Sequence, residues 1–357
     1  MTIMMEEILQ QPGALADLRK YYESPGAIPH KKLRSLASHW PPVVILTGMG
    51  ASLFAAYPAQ AYLTSRGIRA VVMETAELLH HHLPMLRRDT LVVAVSQSGE
   101  TIEITRLLQK LPKDVRVAAV VNVERSTLAR RAGLLLPMMA GRQSTVSTKT
   151  YMCSVAVLMY LAFAIVNEPH RHLTQVLLQA VRIQERILDR QETVIPPIVE
   201  FFDHPPYVAL MSRGPDLASA MQSALTLKEA VRLAAEPISA GQFRHGPIEI
   251  VNPTHRYVVF ARQPHPDGRT APKTNTGRLM LRLARDIQSH GGRVLVFTDL
   301  PFAQMPNVRA LRVEPMRLGL GTLVDTLYMQ LLAHELAVLA GLEPGKFWIA
   351  QGVTREE

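Results

Sequence analysis

A short segment rich in hydroxyl groups is the first candidate for chemistry in this 357-residue chain. Residues 96–101, Ser-Gln-Ser-Gly-Glu-Thr, follow an apolar, β-branched run at 90–95 and precede a helical pattern that begins at Ile102. Small residues let the backbone approach an anion closely, and hydroxyls together with the first N–H groups of a helix hydrogen-bond phosphate oxygens. The segment therefore predicts a phosphate-binding loop, and a plain capped turn between strand and helix is the alternative.

Two further polar segments fall at or near the ends of predicted strands in the same half of the chain. Gly50-Ala51-Ser52 follows an apolar run at 42–48, and residues 144–149 (STVSTK) contain Ser147. Ligands of open α/β sheets bind beyond the carboxyl ends of the strands, so we expect these segments to join the loop at 96–101. That loop has no lysine and no Gly-x-x-x-x-Gly-Lys-Ser/Thr pattern, and GMGAS lacks the full dinucleotide fingerprint, which disfavours both kinds of nucleotide site.

An acid–base pair is the candidate in the second half of the chain. Glu229 lies beside Lys228 in a helical pattern, and His245 follows sixteen residues after Glu229 in Phe-Arg-His-Gly-Pro. A carboxylate and a histidine suit proton transfer on a carbohydrate, because a base must remove a proton next to a carbonyl and an acid must protonate the ring oxygen. The alternatives are a solvated Lys-Glu pair and an ordinary loop histidine.

The elements that position these residues recur in two similar halves. Continuous apolar strands alternating with helical patterns indicate parallel sheets buried on both faces. The predicted strands are 42–48, 90–95 and 115–122, then 206–211, 256–261 and 293–298. The predicted helices are 53–65 and 102–111, then 216–235 and a helix that ends near Ser289. We therefore expect an α/β fold of two doubly wound parallel-sheet domains related by an internal repeat.

The predicted boundaries divide the chain into five parts. They are an N-terminal helical segment (1–34), a first domain with the phosphate loop (35–167), a helical connection (168–202), a second domain with Glu229 and His245 (203–340) and a tail that closes the site (341–357).

Composition narrows the function classes further. The net charge is +9, but the arginines are scattered and few aromatics accompany them, which disfavours nucleic-acid binding and suits small anionic substrates. The apolar run at 151–166 is shorter than the roughly twenty residues that a membrane span needs. The single cysteine, Cys153, fits a reducing cytosol, so we expect a cytoplasmic protein. His80, His81 and His82 are adjacent and lack partners at ligand spacing, so no metal site is predicted.

Several segments in order resemble the sugar isomerase (SIS) domain family, particularly the isomerase half of its glucosamine-6-phosphate synthases. The matching segments span nearly the whole chain: EILQQPGAL, GAS, SQSGET, VSTKTY, LKEA, EPISAGQFRHGP, VDTLYMQLLAHELA and AQGVT. The resemblance implies two SIS domains and a reaction on a sugar phosphate without metal or cofactor. It also implies a homodimer whose sites are shared between subunits.

The resemblance also implies roles for single residues. It places the sugar phosphate against Ser96, Gln97, Ser98 and Thr101, with Ser52 and Ser147 nearby. It makes Glu229 the base that moves the proton between C1 and C2. It makes His245 the ring-opening acid, lent by the neighbouring subunit. Gly50 and Lys228 lie beside these residues and are further candidates.

Departures from the family pattern decide which reaction is expected. The resemblance includes no glutaminase domain, so we expect an amine source other than glutamine. The family's Schiff-base lysine falls on Gln351, or on Gly352 with a shift of one residue, and another family lysine falls on Thr226. Lys346, five residues before Gln351, is the candidate substitute.

We therefore expect aldose–ketose proton transfer on a hexose 6-phosphate, with deamination and isomerisation of an amino-sugar 6-phosphate as the leading version. A fructosamine-6-phosphate deglycase and a simple ketose–aldose isomerase are the alternatives within the enzyme class. A phosphosugar-binding sensor without catalysis is the alternative outside it.

Overall fold

The computed structural model describes residues 1–36, 38–263, 275–349 and 354. The chain divides into two compact units. The first unit comprises Gly13–Leu178 with Trp348–Glu357, and the second comprises Met1–Pro12 with Gln179–Phe347. The five-part boundaries expected from the sequence stay a prediction.

The first unit contains a parallel five-stranded sheet with the order β2-β1-β3-β4-β5. Its strands are β1 (Val43–Gly48), β2 (Ala70–Glu74), β3 (Thr90–Ser96), β4 (Arg116–Val121) and β5 (Leu134–Pro137). Every residue of β3 is buried, as its continuous apolar sequence predicts for a central parallel strand.

Helices separate these strands along the chain, and the first helix, α1, lies wholly in the second unit. They are α1 (Ile3–Leu9), α2 (Gln11–Glu23), α3 (His30–Arg34), α4 (Ala51–Phe54), α5 (Tyr57–Ser65), α6 (Thr75–Glu77), α7 (Ile102–Lys110), α8 (Thr127–Arg131), α9 (Lys149–Ile165) and α10 (Arg171–Asp189). A π-helical turn at Leu78–His82 and a 3-10 turn at Leu83–Met85 follow α6. All seventeen residues of α9 are buried.

The second unit repeats the arrangement with the order β10-β9-β8-β6-β7, again parallel. Its strands are β6 (Val208–Ser212), β7 (Ala235–Ser239), β8 (Arg256–Ala261), β9 (Arg293–Thr298) and β10 (Val308–Arg312). Its remaining helices are α11 (Gln191–Val194), α12 (Pro196–Phe202), α13 (Leu217–Val231), α14 (Ala240–Phe243), α15 (Thr276–Ser289) and α16 (Thr322–Leu339). The prediction of two doubly wound parallel sheets is confirmed.

The predicted helix at 216–235 is wrong at its end. The helix α13 ends at Val231, because Arg232 adopts a left-handed conformation with φ of 60°. Ala235 already begins β7, which pairs in parallel with β6.

Helices lie on both faces of the second sheet. The chain moves from β6 to β7 in one direction and from β7 to β8 in the other, and such crossovers are right-handed. Consequently α13 covers one face, while α14 and α15 cover the opposite face. In agreement, Phe243 of α14 packs with α15 and with Ala209 and Met211, which share one face of β6.

No helix in the described part of the chain combines the length and apolarity needed to cross a membrane. The cytoplasmic location expected from the sequence stays a prediction.

Candidate functional site

The loop at 96–101 leaves the carboxyl end of β3 and is held by its own serines. The hydroxyl of Ser96 accepts a hydrogen bond from the Gly99 N–H at 3.0 Å, and that of Ser98 accepts one from the Glu100 N–H at 3.2 Å. Gly99 has φ of 66°, and a Cβ there would stand 2.2 Å from the Ser126 hydroxyl oxygen. Only glycine fits this position, so the backbone of the loop is closely specified.

Thr101 ends this loop with a hydroxyl that has no partner in the described part of the chain. It occupies the residue before α7, yet its side chain makes no capping hydrogen bond. Its hydroxyl oxygen is buried and has no hydrogen-bond partner among the described residues. Burial of an unsatisfied hydroxyl is costly. A phosphate oxygen at the start of α7 would satisfy this group.

The segment Gly50–Ser52 leaves the sheet beside the loop. The strands β1 and β3 are neighbours, so their carboxyl ends open at the same edge of the first sheet. This pair is also the point where the order of strands reverses, the usual ligand position in such sheets. Gly50 has φ of 50° and precedes α4, which carries the half-buried Ser52. The structure therefore brings Gly50, Ser52 and the loop to one edge.

Ser147 lies on the segment between β5 and α9, and a glutamine that the sequence did not single out organises this segment. The side-chain N–H groups of Gln143 donate to the Val146 carbonyl at 3.0 Å and the Thr148 hydroxyl at 2.9 Å. Its carbonyl oxygen accepts from the N–H and the hydroxyl of Thr150, both at 3.1 Å. The Ser147 hydroxyl in turn lies 2.8 Å from the Thr150 hydroxyl. No motif in the sequence signals this role.

Glu229 lies in the last turn of α13. Its Oε2 atom is buried and makes no hydrogen bond within the described part of the chain. Burial raises the pKa of the carboxyl from 4.5 to about 7. A carboxyl group with a pKa near neutrality suits a general base at physiological pH. The adjacent Lys228 is exposed.

His245 lies away from Glu229. It is exposed, and its backbone N–H donates to the Gln242 carbonyl at 2.9 Å in the turn after α14. Since α13 and α14 cover opposite faces of the second sheet, Glu229 and His245 of one chain are on opposite sides of that sheet. The structure does not bring this pair together within the second unit.

Two of the positions considered in place of the family's lysines lie within the described residues, Lys346 and Thr226. The Lys346 ammonium is exposed and pairs with the Glu343 carboxylate at 2.6 Å. Thr226 is buried, and its hydroxyl donates to the Gln222 carbonyl at 3.0 Å. Gln351 and Gly352 lie outside the described residues.

The remaining candidates are the three adjacent histidines and the single cysteine. His80, His81 and His82 are exposed. Burial raises the pKa of the Cys153 thiol to about 12, so the thiol stays protonated. Across 1–36, 38–263, 275–349 and 354, no group of three or more His, Cys, Asp and Glu side chains could hold a metal ion.

Comparison with known proteins agrees with these features. Residues 41–165 match the family described as the SIS domain. Glutamine–fructose-6-phosphate aminotransferase (isomerizing) from Zymomonas mobilis is 29% identical over 367 residues, which cover 95% of this chain and 56% of that protein. The chain thus spans little more than half the length of this relative.

Solved structures with the same fold match both units. The C-terminal domain of glucosamine-fructose-6-phosphate aminotransferase from Francisella tularensis has a TM-score of 0.81 and 22% identity, covering 96% of this chain and 97% of that one. A glucosamine-6-phosphate deaminase from Thermotoga maritima has a TM-score of 0.73 and 19% identity, covering 98% and 99%. Residues 41–165 of the chain thus belong to the SIS domain family.

Proposed function

We propose that this protein moves a proton between C1 and C2 of an amino-sugar 6-phosphate and thereby isomerises and deaminates it. The observation that carries the proposal is the buried Glu229 carboxyl, whose Oε2 has no hydrogen-bond partner among the described residues. Burial raises the pKa of this carboxyl to about 7. A purely structural carboxylate at such a position is expected to have a charged or hydrogen-bonded partner.

The phosphate is assigned to the first unit. Thr101 has an unsatisfied buried hydroxyl, and Ser96, Ser98 and Ser52 lie on segments that leave the switch point of the first sheet. These groups are neutral donors at a helix start, which suits a phosphate monoester more than a bulky triphosphate. Ser147 and Gln97 complete the proposed contacts.

The chemistry needs one base and one acid. His245 protonates the ring oxygen and opens the sugar. Glu229 then takes the proton from C2 and returns it to C1, while O1 gains a proton and the amine nitrogen loses one. The C1 aldehyde becomes an alcohol and a C2=N bond forms. Water adds to this bond, ammonia leaves, and a ketose 6-phosphate remains. No step in this sequence requires an imine with a lysine, in keeping with Gln351 at the family's lysine position.

We propose that His245 acts on the substrate of a second copy. The two residues occupy opposite faces of one sheet, so a site that uses both draws them from different copies of the chain. A two-fold homodimer provides this exchange symmetrically.

A panel of sugar phosphates tests the proposal. Hexose, hexosamine and fructosamine 6-phosphates are incubated with the protein while ammonia release and NMR spectra are followed. We expect ammonia and a ketose 6-phosphate from a hexosamine 6-phosphate, together with exchange of the C2 proton with solvent. The Glu229→Gln variant should lose both but keep its ligand affinity within about 1–2 kcal/mol. Binding of the whole panel without turnover would instead support a sensor.

A further inference from the structure

The strand β10 of the second unit has part of its backbone directed away from the sheet. It is the last strand in the order and pairs with β9 alone. The Asn307 carbonyl accepts a hydrogen bond from β9 at 2.8 Å, and the Val313 N–H donates one to β9 at 3.0 Å. Alternate residues of a parallel strand bond to the same neighbour. The N–H and carbonyl groups of Ala310 and Arg312 therefore point to the open edge.

A groove of about 980 Å³ borders this open edge. Two elements line it: β10, with residues 308–311, and the helices α11 and α12. The helices contribute Val194, Ile198 and Phe201, which recur at helical spacing and form an apolar stripe. A sheet edge beside an apolar surface is the setting in which an extended peptide adds to a sheet, because main-chain hydrogen bonds and side-chain contacts form together.

The groove is positively charged. The described residues that line it include two arginines and no acidic residue. Arg293 is partly neutralised, because its guanidinium lies 3.7 Å from the Asp203 carboxylate and donates to the Phe201 carbonyl at 2.9 Å. Arg309 is exposed, as is Arg312 just beyond the groove, and neither side chain has a hydrogen-bond or ion-pair partner among the described residues. The open edge thus carries two uncompensated charges.

These charges decide which kind of strand the edge accepts. If β10 paired with β10 of a second copy, four arginines would meet at one junction, and like charges on paired strands are destabilising. Charged side chains on edge strands commonly prevent such self-pairing. An acidic strand avoids this penalty, since its carboxylates meet the same arginines with the opposite charge.

We propose that the open edge of β10 binds an extended, acidic segment of a partner protein by strand addition. Main-chain hydrogen bonds join the segment to Ala310 and Arg312. Its apolar residues pack against the stripe of α11 and α12, and its carboxylates pair with Arg309 and Arg312. Glu229 and His245 do not line the groove, so this surface is separate from the proposed catalysis.

A short acidic peptide tests the proposal. The probe is a fluorescently labelled heptapeptide of alternating glutamate and valine, and its binding to the full chain is measured by fluorescence anisotropy. One control peptide has lysine in place of glutamate. The other keeps every side chain but has methylated backbone nitrogens, which removes its N–H donors. We expect the probe to bind at least about 10-fold more tightly than either control.

Hydrogen exchange distinguishes strand addition from a general attraction of charges. On binding of the probe, exchange measured by NMR should slow at the N–H groups of Ala310 and Arg312. It should stay unchanged at Arg309 and Leu311, whose N–H groups already face β9.

Variants of the edge separate the main-chain and charge contributions. Ala310→Pro removes one outward N–H, a change that edge strands tolerate, and should weaken probe binding by about 10-fold. Ala310→Val keeps the N–H and should bind as the wild type does. Arg309→Glu and Arg312→Glu should each weaken binding by about 5- to 10-fold. Arg278→Glu changes an exposed arginine that does not line the groove and should leave binding unchanged.

Other results would overturn the proposal. Equal binding of the methylated peptide, or unchanged binding in Ala310→Pro, would mean that charge attraction alone holds the probe. Dimers of the wild type that Ala310→Pro abolishes would assign the edge to a second copy. No binding of the probe would mean that the arginines only prevent self-pairing. If Ala310→Pro does not fold by circular dichroism, the exchange at Ala310 and the double variant Arg309→Glu/Arg312→Glu decide the question.

Discussion

Glu229 and His245 lie on opposite faces of the five-stranded sheet of the second unit. The reversal of strand order between β7 and β8 sets this relationship, because right-handed crossovers then place α13 on one face and α14 on the other. A short movement of one side chain does not bridge a sheet, whose packed layers lie about 10 Å apart on each side. We therefore propose that a reaction that uses both residues draws them from two copies of the chain.

Mixed subunits test this requirement. Glu229→Gln and His245→Ala proteins should each be inactive, whereas a randomised mixture of their dimers should recover about a quarter of wild-type activity, since half the dimers are mixed and each has one intact site. Activity is measured after subunit exchange, and the mixed dimers are verified by tags of different mass. The same mixture made from Glu229→Gln alone is the control. No recovery in verified mixed dimers would place both residues in one subunit's site or remove one of them from the reaction.

The raised pKa of Glu229 also predicts how stability depends on pH. Its carboxyl has a pKa of about 7 in the folded protein, because of burial, against 4.5 without burial. Between these pH values the carboxyl is protonated in the folded protein and ionised in the unfolded chain. Stability from this group is thus lost as the pH rises from 4.5 through 7. Glu229→Gln removes the penalty and should raise the free energy of unfolding by about 1–3 kcal/mol at pH 8, with no gain near pH 4.5.

Urea unfolding of wild type and variant at both pH values measures the difference. Glu249→Gln, at an exposed position of the same unit, is the matched control and should change stability equally at both pH values. A pH-independent effect of Glu229→Gln would mean that Glu229 is ionised normally in the folded state.

The sequence predicted the interior of both sheets and missed their edges. The six strands expected from apolar runs are β1, β3, β4, β6, β8 and β9, all of which have neighbours on both sides. The four missed strands, β2, β5, β7 and β10, are the edge strands. Two of these edge strands are polar: β7 contains Pro237 beside Glu236, and Arg309 and Arg312 of β10 are exposed. An edge strand needs less apolar sequence because it has a neighbouring strand on one side only and is more exposed to solvent.

The sequence identifies candidate residues, but it does not show whether their polar atoms are buried and hydrogen-bonded. The sequence singles out Glu229 and Thr101, whereas the unsatisfied atoms of both follow only from burial in the folded chain. Gln143 was not identified at all. Its importance depends on the groups that lie next to it, and a glutamine in a loop has no periodic signal.

Gln143 should act on ligand binding through the Ser147 segment. The Gln143→Leu variant removes the hydrogen bonds to Thr148 and Thr150, which leaves their polar groups without this partner. We expect sugar-phosphate affinity to fall by about 10-fold, which corresponds to about 1.4 kcal/mol of binding free energy. Hydrogen exchange should quicken at 146–150 and stay unchanged at 96–101. Gln143→Glu keeps the acceptor oxygens and should weaken binding less.

Quickened exchange throughout the first unit in Gln143→Leu would indicate general destabilisation rather than a local role. If hydrogen exchange quickens at 146–150 while sugar-phosphate affinity is unchanged, this segment does not contribute to the binding site.

Thr101 should show opposite effects on stability and on binding. Thr101→Val keeps the shape of the side chain and removes a buried hydroxyl that has no hydrogen-bond partner among the described residues. The free protein should therefore be as stable as wild type or more stable by about 1 kcal/mol, because the desolvation penalty disappears. Affinity for a sugar 6-phosphate should fall by about 5- to 10-fold, while affinity for the unphosphorylated sugar stays the same. Calorimetry measures the change in affinity, and urea unfolding measures the change in stability.

Thr105→Val is the matched control on α7, since the Thr105 hydroxyl already donates to the Ile102 carbonyl at 2.9 Å and should not affect binding. A Thr101→Val protein that is less stable and binds phosphate normally would show that the hydroxyl serves the fold, which would remove Thr101 from the phosphate site.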